Sequence, residues 1–494
     1  MNPAQSQLEQ VFTRLYRYQH LVAMAGWDRA TMMPPKGNEA RARAMAEMDV
    51  LLHRTLTDSG LGALFADAEA AAGNEDEAAG LREMRRVWLM ASRLPEALIE
   101  ARSLAGARCE HDWRRQRGAN DWSGFLANFE EVVRLAREEA AYLSDASGLS
   151  RYDALLDKYE PGVRSERLDR IFGEIKGWLP DLIARARARQ AGDTLVYPQG
   201  PFPLERQRAL GLIMMKKLGF DFDAGRLDLS VHPFCGGVAE DVRITTRYRE
   251  DDFIQSLMGI IHETGHACYE QGLPRTRVHL PVGQARSMGV HESQSLSFEM
   301  QLGRHPGLIA QLSPLLEQHF GASEAYETEN LIKLFTRVEP GLIRIEADEL
   351  CYPAHVMLRY EIERDLIEGH VDCRDVPALW DEKMSAYLGV DSRGNFRDGC
   401  MQDIHWTDGC FGYFPSYTLG AMYAAQYFAA MRRERPLLDA DIAAGDFGSV
   451  FSWLGRHIWS QGSRWTTDEL IERATGSALD PVHYRAHLEA RYLG

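Results

Sequence analysis

FIQSLMGIIHETGHACYEQ, from Phe253 to Gln271, sets His262-Glu263-Thr264-Gly265-His266 directly behind the apolar residues Phe253, Leu257, Ile260 and Ile261. That three- and four-residue spacing predicts a helix buried on at least one side. Asp251 or Asp252 can cap its start, and Gly272-Leu273-Pro274 ends it. Residues four apart share a helix face, so His262 and His266 can bind one Zn²⁺ together. Glu263, turned by about 100° from His262, stays off the metal but beside it, as a general base would. Gly265 costs the helix about 1 kcal/mol relative to alanine, and close approach of another backbone or of substrate would explain its presence.

The rest of the chain reads the same way. Ser6 to Ala25, Glu39 to Arg54, Gly80 to Arg93, Asn128 to Leu143 and Ser165 to Gln190 all show helical periodicity. So do Pro203 to Leu218, Glu327 to Phe335, Leu342 to Glu368, Val376 to Leu388 and Leu419 to Arg433, and shorter candidates bring the expected helices to more than a dozen. The exception is Leu227 to Tyr248, where Leu229, Val231, Val242, Ile244 and Thr246 alternate around Cys235-Gly236-Gly237 and predict a small β-ribbon. Such a ribbon either pairs with the backbone of a peptide or simply covers the helix. Glu69 to Leu81, acidic and alanine-rich, reads as a solvated loop or helix end. The expected fold is mainly α, with the small ribbon near the HExxH helix.

At 494 residues the chain is long enough for two or three domains, yet no repeat or proline-rich linker divides it. We read one helical domain over residues 1–494, an N-terminal half (1–200) and a half carrying the motifs (201–494). A net charge of −16 argues against a nucleic-acid partner, whose phosphates need a basic field. The first ten residues lack a signal-peptide pattern, and no apolar run reaches the roughly 18 residues of a membrane span. Seven scattered cysteines without CxxC spacing read as reduced thiols in a cytoplasmic protein.

A catalytic zinc keeps three protein ligands and one open position, so a third donor is needed. Gly289 to Ser295 offers both His291 and Glu292, and periodicity leaves the two open. His232-Pro233-Phe234, Asp241-Val242-Arg243-Ile244-Thr245, the HExxH run and His291-Glu292-Ser293-Gln294 follow one another along the chain. Ile343-Arg344-Ile345-Glu346-Ala347-Asp348 and Gly399 to Trp406 (GCMQDIHW) come next, while Trp27 to Pro34 stands near the start. In these motifs and their order the sequence resembles the carboxypeptidase Taq family of metallocarboxypeptidases over most of its length. The resemblance implies Glu292 as the third ligand, a deep groove between helical halves, broad side-chain tolerance and a homodimer. Leu296-Ser297-Phe298 departs from it, since many relatives carry a basic and an aromatic residue there.

A carboxypeptidase must recognise a free α-carboxylate, which the arginine fork binds in bidentate fashion. Arg344 and Arg243 are the candidates, against structural pairing of Arg344 with Asp348 and of Arg243 with Asp241. His405, Tyr417 and Tyr413 are candidate donors to the oxyanion formed as water attacks the carbonyl, a use of His and Tyr found in related helical metallopeptidases. Asp241, Asp403 and Glu299 are available to orient the imidazoles, and His232 is expected to fix the turn at Pro233. Zn²⁺ is the default metal, with Co²⁺ or Mn²⁺ able to occupy such a site. The expected reaction is release of C-terminal amino acids from peptides; cutting of internal bonds and a non-catalytic helical binding protein are the alternatives.

Overall fold

The computed structural model describes residues 2–230 and 233–494. Among them are twenty α-helices and one three-stranded sheet. The spans Ser165–Gln190 and Val376–Leu388 form as predicted, and the HExxH helix runs from Ile254 to Gly272. Others extend to a cap the periodicity did not reach. The first helix is Pro3–Thr31 because the Asn2 side chain accepts from the Ala4 N–H, and Trp122–Ser147 starts behind Asp121 in the same way. The acidic stretch joins two helices, Leu61–Ala70 and Glu75–Ser92, the second capped by Asn74.

One predicted span overran. Leu342 to Glu368 divides into a 3₁₀ turn, Arg344–Glu346, and a helix, Tyr352–Glu368. Pro353 stands in the first turn of that helix, where a missing N–H costs nothing, and Asp348 accepts from the Leu350 and Cys351 N–H groups. Arg344 is therefore outside the helix, and its pairing with Asp348 across one helical turn does not form. Glu96–Gly118 escaped the sequence reading because it buries only Leu98, Gly106, Cys109, Trp113 and Gln116.

The sheet consists of β1 (Gly225–Leu229), β2 (Cys235–Val238) and β3 (Asp241–Thr246). β3 is central, parallel to β1 and antiparallel to β2. The ribbon expected around Cys235-Gly236-Gly237 is shifted: those residues belong to edge strand β2, and Ala239-Glu240 makes the connection. Gly237 has φ 101°, and a Cβ there would lie 2.1 Å from the Asp241 carbonyl oxygen. Val242 and Ile244 are buried against Ile260 and Ala267 of the HExxH helix, which ties the sheet to that helix. Val231 and His232 lie outside the described residues.

Helices up to Ser92 make a small core with Leu8, Phe12, Phe65 and Met84, seated on Leu280 and Val282. From Cys109 onward the helices share one large core. All seven cysteines are free thiols. No helix of the described residues is long and apolar enough to cross a membrane.

Candidate active site

The HExxH helix starts on Asp252, which accepts from the Ile254 N–H at 2.8 Å, while Asp251 pairs with Arg249. The helix Met288–Leu296, capped by Ser287, crosses it at Gly265. A Cβ at Gly265 would stand 2.4 Å from the Gln294 carbonyl oxygen and 2.7 Å from Ser295 Cα. The glycine that helix propensity disfavours is thus the space a second backbone occupies. From the other side, Gly420 of the helix Pro415–Glu434 faces Glu292, where a Cβ would lie 2.8 Å from both Cβ and Cγ of that side chain. Two glycines let the short helix that carries Glu292 sit between two long ones.

One donor atom from each of His262, His266 and Glu292 lies within 4.8 Å of the other two. Glu292 Oε2 is 3.5 Å from His266 Nε2 and 3.9 Å from His262 Nε2. Of the two residues that periodicity left open, Glu292 is the one brought to both histidines; His291 stands behind His266, against its Nδ1. The His262 Nδ1–H donates to Glu299 Oε2 at 2.9 Å, which turns Nε2 towards Glu292. Glu299 belongs to a π-helical stretch, Ser297–Gly303, that continues the Glu292 helix with a wider turn. Phe298 in that stretch is buried and stacks on Phe451 at 5.6 Å, so the departure at Leu296 to Phe298 is absorbed in the core.

Burial pushes the Glu263 carboxyl up to about 7, and its Oε2 is buried without a protein partner. Burial opposes a charge on His262 as well, but the carboxylates of Glu292 and Glu299 outweigh it and hold that imidazole up to about 10. His266, by contrast, is pulled by burial down to about 4. Three carboxylates thus converge on two imidazoles, and one carboxylate oxygen is unsatisfied. This donor set, recessed but open, with side chains 12 to 22% exposed, fits a divalent cation.

Tyr417 lies one turn before Gly420 on the same helix, and its hydroxyl is 3.0 Å from His405 Nε2. The Tyr413 ring is 5.4 Å from that of Tyr417 and 5.6 Å from that of His405. Burial pulls His405 down to about 4, so it is neutral at neutral pH, and the charge of Glu292 reaches both tyrosines. The structure therefore gathers His405, Tyr413 and Tyr417 on the Glu292 side of the cluster.

Arg344 is 5% exposed and pairs with Asp403 through Nε and Nη2, at 3.0 and 2.8 Å. Its Nη1 donates to the Tyr352 hydroxyl, and the guanidinium lies 4.9 Å from the Tyr417 ring centroid. Arg359, fully buried, takes the other oxygen of Asp403 at 2.6 Å. Two guanidiniums share one carboxylate, which leaves this ion cluster with one positive charge. Arg243 is likewise paired, with Asp241 in its fork at 2.9 and 2.8 Å, and Trp27 covers it at 4.4 Å. Asp241 and Asp403 are thus held by arginines, and of the three carboxylates considered for orienting an imidazole, Glu299 is the one that meets a histidine of the cluster.

Two buried glutamates that sequence reading passed over fix this geometry. Glu160 accepts from the Gly289 N–H and the Ser416 hydroxyl, joining the first turn of the helix that carries Glu292 to that of Pro415–Glu434. Glu363 accepts from Tyr152, from Trp406 beside His405 and from the Gly412 N–H, at 2.6, 3.1 and 3.1 Å. Burial raises Glu363 from 4.5 to about 7. The folded state therefore holds a proton there that the unfolded chain has released, and this contribution, complete below 4.5, is lost as pH rises through about 7. Relative to Glu363→Gln, the wild type should lose stability over that window. Urea midpoints compared at pH 5 and pH 8 test this, and a difference independent of pH would contradict it.

The family described as Carboxypeptidase Taq (M32) metallopeptidase matches residues 7–492. The chain belongs to this family. It is 39% identical to the thermostable carboxypeptidase 1 of Thermus thermophilus over 485 residues, 96% of this chain and 95% of the other. Carboxypeptidase 1 of Bacillus subtilis is 33% identical, with 97% of this chain and 96% of that protein covered. Among solved structures, metallocarboxypeptidase 1 of Trypanosoma cruzi superposes with a TM-score of 0.97 at 48% identity, covering 99% of each chain. Like the rest of the carboxypeptidase Taq family, this protein is a metal-dependent carboxypeptidase, a hydrolase of peptides.

Proposed function

We propose that His262, His266 and Glu292 hold the metal, that Glu263 is the general base, and that Arg344 reads the substrate C-terminus. Zn²⁺ suits the His₂Glu set best, and Co²⁺ or Mn²⁺ can replace it. Bound there, the metal supplies Lewis acidity to the scissile carbonyl and acidifies the attacking water. Glu263 takes the proton of that water and passes it to the leaving amine. The Tyr417 hydroxyl, oriented by His405, donates to the developing oxyanion, with Tyr413 as the second donor at that wall.

The observation that carries the C-terminal reading is the positive charge left over when Arg344 and Arg359 share Asp403. A substrate α-carboxylate would neutralise that charge, and Arg344, buried but adjoining Tyr417, is the guanidinium of the pair that lies nearer the site. Arg243, filled by Asp241 and covered by Trp27, is assigned to docking the first helix on the sheet instead. Broad tolerance for the released side chain and a homodimer rest on the family resemblance, and one helical domain spanning 1–494 on the lack of a repeat or linker that divides the chain. A cytoplasmic setting rests on the seven unpaired thiols.

The test is mass spectrometry of one peptide offered with a free and with an amidated C-terminus. Stepwise shortening of the free form alone is expected. Equal cleavage of both forms, or products cut at internal bonds, would sink the assignment of a carboxylate clamp.

A further inference from the structure

We propose that Glu270 and His291 are positioning residues that set the tautomer of His266, and so the direction in which its Nε2 lone pair is offered; this rests on the reading of His266 as a metal ligand. His291 Nδ1 stands 2.7 Å from His266 Nδ1, and the two rings lie 4.5 Å apart between centroids. Two ring nitrogens at that distance share one proton between them. On the far side of His291, Nε2 is 2.8 Å from Glu270 Oε1.

The direction of the chain follows from which groups can donate. In its Nε2–H tautomer, His291 donates to Glu270 Oε1. His291 is then left with a bare Nδ1 facing His266, and the shared proton belongs to His266 Nδ1. The His291 backbone carbonyl, 3.1 Å from the same nitrogen, is a second acceptor and acts in the same sense. Both neighbours of His266 Nδ1 are acceptors, and its Nε2, 3.5 Å from Glu292, is left unprotonated.

The chain is built rigidly. Glu270 follows His266 by one turn on the HExxH helix, and His291 precedes Glu292 on the crossing helix. The two imidazoles of the cluster are therefore set by different devices, His262 directly by Glu299 and His266 through an intervening histidine. Without Glu270, His291 is free to carry its proton on Nδ1. It then donates to His266 Nδ1, and the His266 proton moves to Nε2, where it blocks ligation.

The experiment is titration of metal-free protein with Co²⁺, following the visible absorption of the bound ion, together with Zn²⁺ affinity from competition with a chelator. Glu270→Ala and His291→Phe, the latter preserving ring volume and the backbone carbonyl, should each weaken Zn²⁺ by about 10- to 100-fold and change the Co²⁺ spectrum. Glu270→Gln keeps an acceptor oxygen and should lie between them and the wild type; it also serves if Glu270→Ala fails to fold. Thermal unfolding of the metal-free proteins separates lost affinity from lost folding. Wild-type Zn²⁺ affinity and an unchanged Co²⁺ spectrum in folded variants would overturn the proposal. A wild type that binds neither ion here would instead overturn the ligand reading on which it rests.

Discussion

Replacing Glu263 by glutamine should leave the metal in place and slow peptide cleavage by about 10²- to 10⁴-fold, the usual range for loss of a general acid–base group. The amide has nearly the same shape as the carboxylate but cannot take the proton of the attacking water. Glu263 follows His262 directly on the helix, and its side chain is 7% exposed with Oε2 free of protein partners. Burial places its carboxyl near neutrality, at about 7, where a base is strong enough to accept a proton and weak enough to return it. Turnover of an unblocked peptide and metal content measured on the same sample decide the matter. Cleavage at the wild-type rate would remove Glu263 from the mechanism, and loss of the metal would make it a ligand rather than a base.

Arg344→Met should spare the fold and cost about 2–5 kcal/mol of transition-state binding, roughly 30- to several thousand-fold in kcat/KM, as expected when one partner of a desolvated charge pair is truncated. The fold is spared because Asp403 keeps Arg359, and one guanidinium with one carboxylate forms a neutral pair. What disappears is the surplus positive charge that the α-carboxylate would meet. Asp403→Asn is the informative contrast, because it leaves two buried guanidiniums without their carboxylate and should destabilise the protein by about 3–5 kcal/mol. Kinetics on free and amidated peptides, with urea denaturation of each variant, separate the two effects. If Arg344→Met cleaves free peptides as well as the wild type does, the clamp lies elsewhere.

Much of the site was legible because it is local. The 3.6-residue period alone places His262, Glu263 and His266, and Asp252 and Gly272 bound their helix as expected. The anomaly of Gly265 was also legible as a close approach, although the partner, the backbone at Gln294 and Ser295, was not. Glu270 could have been found by the same periodicity, since it stands one turn beyond His266. Its purpose could not, because that depends on His291 from another helix.

The errors were those of tertiary context overriding a pattern. Apolar spacing from Leu342 to Glu368 suited a helix throughout, yet Pro353 and the Asp348 cap start it at Tyr352 and free Arg344 to reach Asp403. The strand pattern was recognised, but the order β1-β3-β2 was not, because pairing between β1 and β3 is set by burial of Val242 and Ile244 on the HExxH helix.

By itself, then, the sequence determined a mainly helical chain, the pair of histidines with Glu263 beside them, and through the order of its motifs the family. The tertiary structure brings Glu292, the ligand the resemblance implied, to both histidines, and it alone decided that Asp403 is divided between two arginines and that Glu299 and Glu270 stand behind the imidazoles. The division has one physical cause. Helix periodicity is fixed within a few residues, whereas the approach of three helices at Gly265 and Gly420 depends on missing Cβ atoms far apart in the chain.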